Sequence, residues 1–398
     1  MALPASERIV IAETGDVFLT LRNPGAPFAV WEFDTEDVDA ASEIDFEEEG
    51  NEQEGEEENA NREGPRQKKR KMVVKLREGA EDQDMSEDGA NPGAMTDDTI
   101  QPAHPSLVYQ VSSQHLITAS PKFKSELTSW SESVKGDDDF YHVNTTDWDP
   151  EAFAILLNVL HLRIRKVSKS LSLKLLAKVA MLVDYYRCWE AFDLIADVWI
   201  KDLRKKHPVP KTYGRKLMLW MLISWVFNLD SEFTRTTRIA LLQSSEPNIR
   251  DMKLGVPPAI LHALESRRSE TIEAIIARCH ASVDRFSDAY TCPFYEEVSF
   301  NCSSMRLGAL VKQMKALGIF SPQPTAPYEG FSIKVLGEKV ALIRSPEWHH
   351  ATRRVGDGYV KHPCNLDFRV SRAVTEIVGG VIGLVRGDFV DRGDVEAE

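Results

Sequence analysis

Residues 171–192 read LSLKLLAKVAMLVDYYRCWEAF. Within them Leu175, Leu176, Val179, Leu182, Val183 and Tyr186 stand at i, i+1, i+4, i+7, i+8 and i+11, the spacing that aligns one apolar face of an α-helix. Just upstream, residues 147–167 read DWDPEAFAILLNVLHLRIRKV, and Asp149-Pro150-Glu151 supplies an N-cap, a proline suited to the first turn and an acidic first turn. Phe153, Leu156, Leu157 and Leu160 then share one face. Downstream, Phe192, Ile195, Ala196, Trp199 and Leu203 repeat the pattern until Pro208 and Pro210 break it. Residues 149–204 are therefore a succession of packed helices.

Further from this centre the pattern changes in both directions. Residues 216–227 are apolar nearly all round and include Trp220 and Trp225, which predicts a buried helix at the middle of a second bundle. Two more helices are expected over 259–281 and 305–317. Beyond Pro322 and Pro324, residues 331–336 and 339–343 are β-type, and 370–385 form another apolar stretch. Toward the N-terminus, short β-type runs at 9–11 and 17–21 flank Thr14-Gly15-Asp16 and signal a hairpin. Residues 28–33 are a further strand candidate, 108–123 read as a strand running into a helix, Pro121 starts the next helix, and 140–143 is a short strand. The expected fold class is α+β, mainly helical.

At 398 residues the chain exceeds the usual single-domain range, so two or three folded units are the prior. Its net charge of −14 is concentrated in one place: residues 34–98 hold 23 acidic and 8 basic side chains, which leaves the remainder close to neutral. A near-neutral remainder argues against direct nucleic-acid binding by the folded core, which needs clustered Lys and Arg. Low hydrophobicity and dense charge over 34–103 are the composition of a disordered insertion. Inside it, Arg66, Lys68, Lys69, Arg70 and Lys71 form a basic run that reads either as a nuclear-import signal or as a solvated patch balancing its acidic flanks. Ser86, before Glu87 and Asp88, is a weak phosphorylation candidate. The N-terminal residues show no basic leader followed by an apolar run, so an intracellular location is expected, in cytoplasm or nucleus. The longest apolar stretch, 217–229, is interrupted by Ser224 and Asn228 and is shorter than the roughly 20 residues a membrane span requires.

Several strings resemble the BTB/POZ domains of filamentous fungi. VFLTL (17–21) after Gly15-Asp16 is similar to the opening strand of that family, and VSSQHLITASPKFKSEL (111–127) to its first helical pair. Residues 147–167 and 171–192 are the most specific part, and the resemblance continues through LMLWMLISWVF (217–227) and MRLGAL (305–310) to His362-Pro363-Cys364. It implies first strands in 1–33, the acidic insertion in 34–103, the rest of a BTB-like domain in 104–207, a helical region in 208–320 and a mixed α/β region in 321–390. The resemblance implies protein–protein recognition, often as a homodimer, sometimes with recruitment of a cullin-type ubiquitin ligase scaffold or a corepressor. Asp16 resembles the family's aspartate near the dimer interface. Where many animal members carry His and a basic residue, this chain has Ser112 and Ser113, a departure that weakens the last two roles.

No P-loop, dinucleotide glycine motif or Gly-x-Ser-x-Gly elbow is present, so no catalytic residue and no small-molecule substrate are expected. Asp137, Asp138 and Asp139 are consecutive and cannot all face one cation, so they read as a solvated loop. Cys188 and the Cys279-His280 pair read as core or helix-face residues. The five cysteines are widely spread, which argues against a disulfide framework. Cys292, Cys302, His362 and Cys364 are a chemically standard tetrahedral zinc set. Their spacing is not standard: the gap from Cys292 to Cys302 is long, and His362-Pro363-Cys364 is tight for a chelating pair. Small buried hydrophobes plus a surface histidine is the competing reading. The leading expectation is a non-enzymatic, self-associating adaptor with protein partners, no cofactor and no membrane contact. The alternatives are a nuclear transcriptional or chromatin-associated regulator, a ubiquitin-ligase substrate adaptor, and a zinc-stabilised C-terminal binding module.

Overall fold

The computed structural model describes residues 7–31, 106–129, 133–351 and 359–390, the side chains of 367–369 excepted. The basic run at Arg66, Lys68, Lys69, Arg70 and Lys71, Ser86 and nearly all of the acidic segment lie outside the described residues. Four strands, β1 (Glu7–Val10), β2 (Val17–Arg22), β3 (Ser106–Val111) and β4 (Tyr141–Thr146), form one sheet in the order β1-β3-β2-β4. β2 and β3 are antiparallel, from Val17 opposite Val111 to Arg22 opposite Ser106, while β1 runs parallel to β3 and β4 parallel to β2.

This order corrects the expected hairpin around Thr14-Gly15-Asp16. β3 lies between β1 and β2, so the hairpin is β2–β3 and the acidic segment sits within its connection. The link from β1 to β2 instead crosses the end of β3, where Ile11 N and Ala12 N both donate to Gln110 O. A Cβ on Gly15 would lie 2.5 Å from Val111 O, so this crossing requires glycine. Val17, Leu19 and Leu21 alternate into the core with no exposure, as period two demands. The strand expected over 28–33 is absent from its described part, 28–31: Ala29 has φ +50°, which breaks the extended conformation.

The sheet is covered by α1 (Ser113–Ala119), α2 (Pro121–Ser129), α3 (Pro150–Leu160), α4 (Leu173–Tyr186) and α5 (Trp189–Lys206). Leu176, Val179, Leu182, Val183 and Tyr186 are buried on the face their spacing marked out, and Phe123 stacks on Tyr186 with ring centroids 4.2 Å apart. Asp149 caps α3 as its position dictates: its carboxylate accepts from Ala152 N at 3.0 Å and pairs with Lys178 at 2.5 Å. Burial works against the charge on Asp149, but the Lys178 and Ala152 donors outweigh it and hold the carboxyl below its ordinary value. Asp149→Ala is expected to lower stability by about 1–2 kcal/mol, the loss of a cap plus a half-buried ion pair, as read by urea denaturation. A change within error would mean that water replaces both partners.

The helices continue with α6 (Arg215–Val226), α7 (Asp230–Gln243), α8 (Pro258–Ser287), α9 (Ser299–Ala316), α10 (Ile333–Ala341) and α11 (Asp367–Gly379). α6 is buried on nearly every side, with Trp220 donating its indole N–H to His207 O. α10 replaces the β-type runs expected over 331–343. Ser332 caps it by accepting from Val335 N, and Ile333, Leu336, Gly337 and Val340 are its buried face. That i, i+3, i+4, i+7 spacing outweighs the β-branched composition. A two-stranded ribbon, β5 (His349–Ala351) with β6 (Tyr359–Lys361), precedes α11. The buried apolar side chains form one connected cluster from the sheet to Leu384. Among the described residues no helix is long and apolar enough to cross a membrane.

Candidate metal centre

Cys292, Cys302, His362 and Cys364 come from three separate places in the chain. Cys292 follows α8 and is fixed by its own N–H, which donates to Ser299 Oγ at 2.9 Å. Cys302 lies in the first turn of α9, and His362 and Cys364 directly follow β6. His362 N donates to Trp348 O at 2.9 Å, continuing the ribbon's hydrogen bonding by one residue. The four potential ligand atoms lie within 4.8 Å of one another. Cys292 Sγ is 3.5 Å from His362 Nε2 and 3.6 Å from Cys364 Sγ, and His362 Nε2 is 3.2 Å from Cys302 Sγ. Cys292, Cys302 and His362 are buried, and Cys364 is partly exposed.

This convergence overturns two elements of the sequence reading. His362 is not a surface histidine, and the tightness of His362-Pro363-Cys364 is no obstacle to both side chains reaching one point. A residue before proline is biased toward extended backbone, and in extended backbone residues two apart share a face. The long gap between Cys292 and Cys302 is taken up by a turn and a short 3₁₀ segment, Glu296–Val298, that leads into α9.

The electrostatics divide the three thiols. Cys292 is held below the ordinary thiol range: burial opposes its charge, but backbone hydrogen bonds from Tyr295 and Phe294 overcome that. Burial pushes Cys302 up, and it pushes Cys364 up to about 12 with help from its hydrogen bonds to Cys292 and Cys302. Without a cation, three thiolates at these separations repel. A divalent ion held by these four side chains would reverse that balance and favour the deprotonated thiolates. Burial, with His350 and Arg306 nearby, keeps the His362 pKa low, so its imidazole is neutral at pH 7 and able to ligate.

The surrounding layer was not visible in the sequence. Trp348 stacks on His362 with centroids 4.4 Å apart, and His350, buried, meets His362 edge to face at 5.0 Å and Tyr295 at 4.4 Å. Arg306, one turn after Cys302 on α9, is buried. It donates to Tyr290 Oη at 2.8 Å and to Asn365 O at 3.2 Å, and lies 4.3 Å over the Phe286 ring. Tyr290 is hydrogen-bonded to Cys302, and burial raises the pKa of its hydroxyl to about 12. The i, i+4 spacing of Cys302 and Arg306 was the one available signal.

The other singled-out residues are placed elsewhere. Cys188 and Cys279 are core residues, their thiols pushed by burial up to about 12 and about 11. His280 bonds Ile319 O at 2.8 Å and stacks on Phe320. Asp137, Asp138 and Asp139 are exposed, with Asp138 paired to His142 and Asp139 to Lys135. Asp16 accepts from Ser113 N at 2.8 Å and Ser113 Oγ at 2.7 Å, which anchors the first residue of α1 to the start of β2. Burial disfavours its charge, yet the two Ser113 donors hold its carboxyl below the ordinary value.

No family model matches the chain, and no curated protein or solved structure matches it.

Proposed function

We propose that this chain is a non-enzymatic protein-interaction adaptor that self-associates through its N-terminal α+β region. The observation that carries this reading is a set of exposed apolar side chains beside the open outer edge of β1. Among the described residues no strand pairs with the outer edge of β1, and Val10 on that strand is 44% exposed. Leu162 and Ile164, in the turn after α3, are 79% and 44% exposed, and Arg163 between them donates to Ile11 O at 2.6 Å, tying that turn to the end of β1. An open edge flanked by large apolar side chains is a surface that folded proteins cover or use. A second copy of the same patch, related by a two-fold axis, is the simplest cover.

The resemblance to fungal BTB/POZ domains supports the same reading, and so does the connection of an antiparallel pair to a helical hairpin, a parallel strand and three helices. In this reading Asp16 acts through Ser113, as a residue that positions α1 beside the interface. A closed four-ligand cluster, with no position left open for a substrate, favours a structural use of these four residues over catalysis.

Light scattering across a concentration series, on the full chain and on a variant lacking residues 34–103, is the test. The expected mass is that of two chains in both, which for the full protein is twice 44.9 kDa and for the shortened variant twice its own smaller chain mass. Leu162→Asp with Ile164→Asp is expected to return the protein to one chain per particle with its helical circular dichroism intact. Wild-type chains that stay monomeric throughout the series would remove self-association from the proposal.

A further inference from the structure

The structure assigns Cys292, Cys302, His362 and Cys364 to a closed, mononuclear zinc site whose charge is balanced by the buried guanidinium of Arg306. A tetrahedron with Zn–S of about 2.3 Å and Zn–N of about 2.0–2.1 Å has edges of about 3.8 Å between sulfurs and about 3.5 Å between sulfur and nitrogen. Three of the six separations, 3.6 Å between sulfurs and 3.5 and 3.2 Å between sulfur and nitrogen, are close to those edges. All four atoms fit within 4.8 Å, which is room for one ion and not for an iron–sulfur cubane.

Charge narrows the metal further. Zinc with three thiolates and a neutral imidazole carries a net charge of −1, and a buried net charge requires a partner. Arg306 supplies it. Its partners are a phenol and a backbone carbonyl, no carboxylate pairs with it among the described residues, and its Nε is buried without a hydrogen bond. A cation buried in that way lacks its anion unless the thiolates are present. A monovalent soft ion such as Cu(I) would leave −2, which one arginine does not neutralise, so the pocket favours a divalent ion. Backbone hydrogen bonds from Phe294 and Tyr295 to Cys292, and the Tyr290 hydroxyl on Cys302, form the outer shell that orients thiolate ligands.

Four protein ligands leave no open coordination position, so the metal's role is structural. It joins the end of the β5–β6 ribbon to the start of α9 and the loop that follows α8. This inference is independent of self-association, and its test does not read oligomeric state.

The experiment is metal analysis of the purified full chain, followed by displacement of the metal with Co²⁺ and absorption spectroscopy. One equivalent of zinc is expected, and the Co²⁺ form is expected to show thiolate-to-cobalt charge transfer with intense tetrahedral d–d bands. Arg306→Met is expected to weaken Zn²⁺ binding by about 10–100-fold in competition with a chromophoric chelator, with partial recovery in Arg306→Lys. Zinc that is neither retained nor taken up by the wild-type chain, or a Co²⁺ spectrum without thiolate bands, would overturn the site. Unchanged affinity in Arg306→Met would overturn the charge balance. Because the wild-type spectrum decides the ligand set, failure of a cysteine variant to fold does not blunt the test.

Discussion

Arg268→Met is expected to destabilise the protein by about 3–5 kcal/mol, the range for leaving buried polar partners uncompensated. Arg268, on α8, is 1% exposed, and its guanidinium makes four hydrogen bonds to backbone carbonyls. Nε donates to Ser244 O at 3.0 Å, Nη1 to Pro327 O at 2.9 Å, and Nη2 to Tyr328 O at 3.0 Å and Phe331 O at 2.8 Å. One side chain thus joins the C-terminal end of α7 to the loop that enters α10. Methionine fills similar volume but leaves those carbonyls facing an apolar group. Arg268→Lys is expected to recover less than half of the loss, since an ammonium is a point donor and cannot span a planar fork of acceptors. Denaturant unfolding of the three proteins checks this. A loss below about 1 kcal/mol for the methionine variant would show that the loop relaxes and satisfies its own carbonyls.

Gly383→Ala is expected to detach the segment that follows α11 from α7. A Cβ at this position would lie 1.8 Å from Thr234 O and 2.8 Å from Thr237 Oγ1, and the first of these is helix backbone with little freedom to move. The segment is held by Arg238 Nε to Val381 O at 2.8 Å, Leu384 N to Thr237 Oγ1 at 2.9 Å and Thr234 Oγ1 to Leu384 O at 3.0 Å. Leu384 itself is fully buried. Losing that burial with its hydrogen bonds amounts to about 2–4 kcal/mol. Hydrogen exchange should show the Leu384 amide losing its protection while α6 keeps its own. Retained protection at Leu384 would mean the helix backbone shifts to admit the methyl group.

The helices were legible where one local rule decided them. The apolar stripe of α4 and the Asp149-Pro150 start of α3 need only their own residues, and the all-round apolarity of α6 needs only the expectation that such a helix is buried. The sheet was less legible because strand order is a property of non-local pairing. Residues 9–11 and 17–21 both read as strands, but only the packing of Gly15 against Val111 O reveals that a third strand passes between them. α10 was misread because Ile333, Val335 and Val340 favour strands by composition, although their neighbours carry the helical period. The ligand set was legible as residue types and illegible as geometry. Neither the turn that returns Cys302 toward Cys292 nor the extended backbone through Pro363 is encoded in a spacing rule. Arg306 offered only its i, i+4 spacing from Cys302, too weak a signal to act on, since a charged helix residue normally reads as solvated.

The pairing of Arg22 with Ser106 means that whatever connects β2 to β3 enters and leaves the sheet at one end of a single hairpin. The entropy of closing such a connection grows only as the logarithm of its length, about 0.6 kcal/mol for each doubling. The β2–β3 pairing is thereby made tolerant of the length of its own insert. Residues between Trp31 and Ser106 are therefore a place in the chain where a change of length costs the pairing of β2 with β3 little.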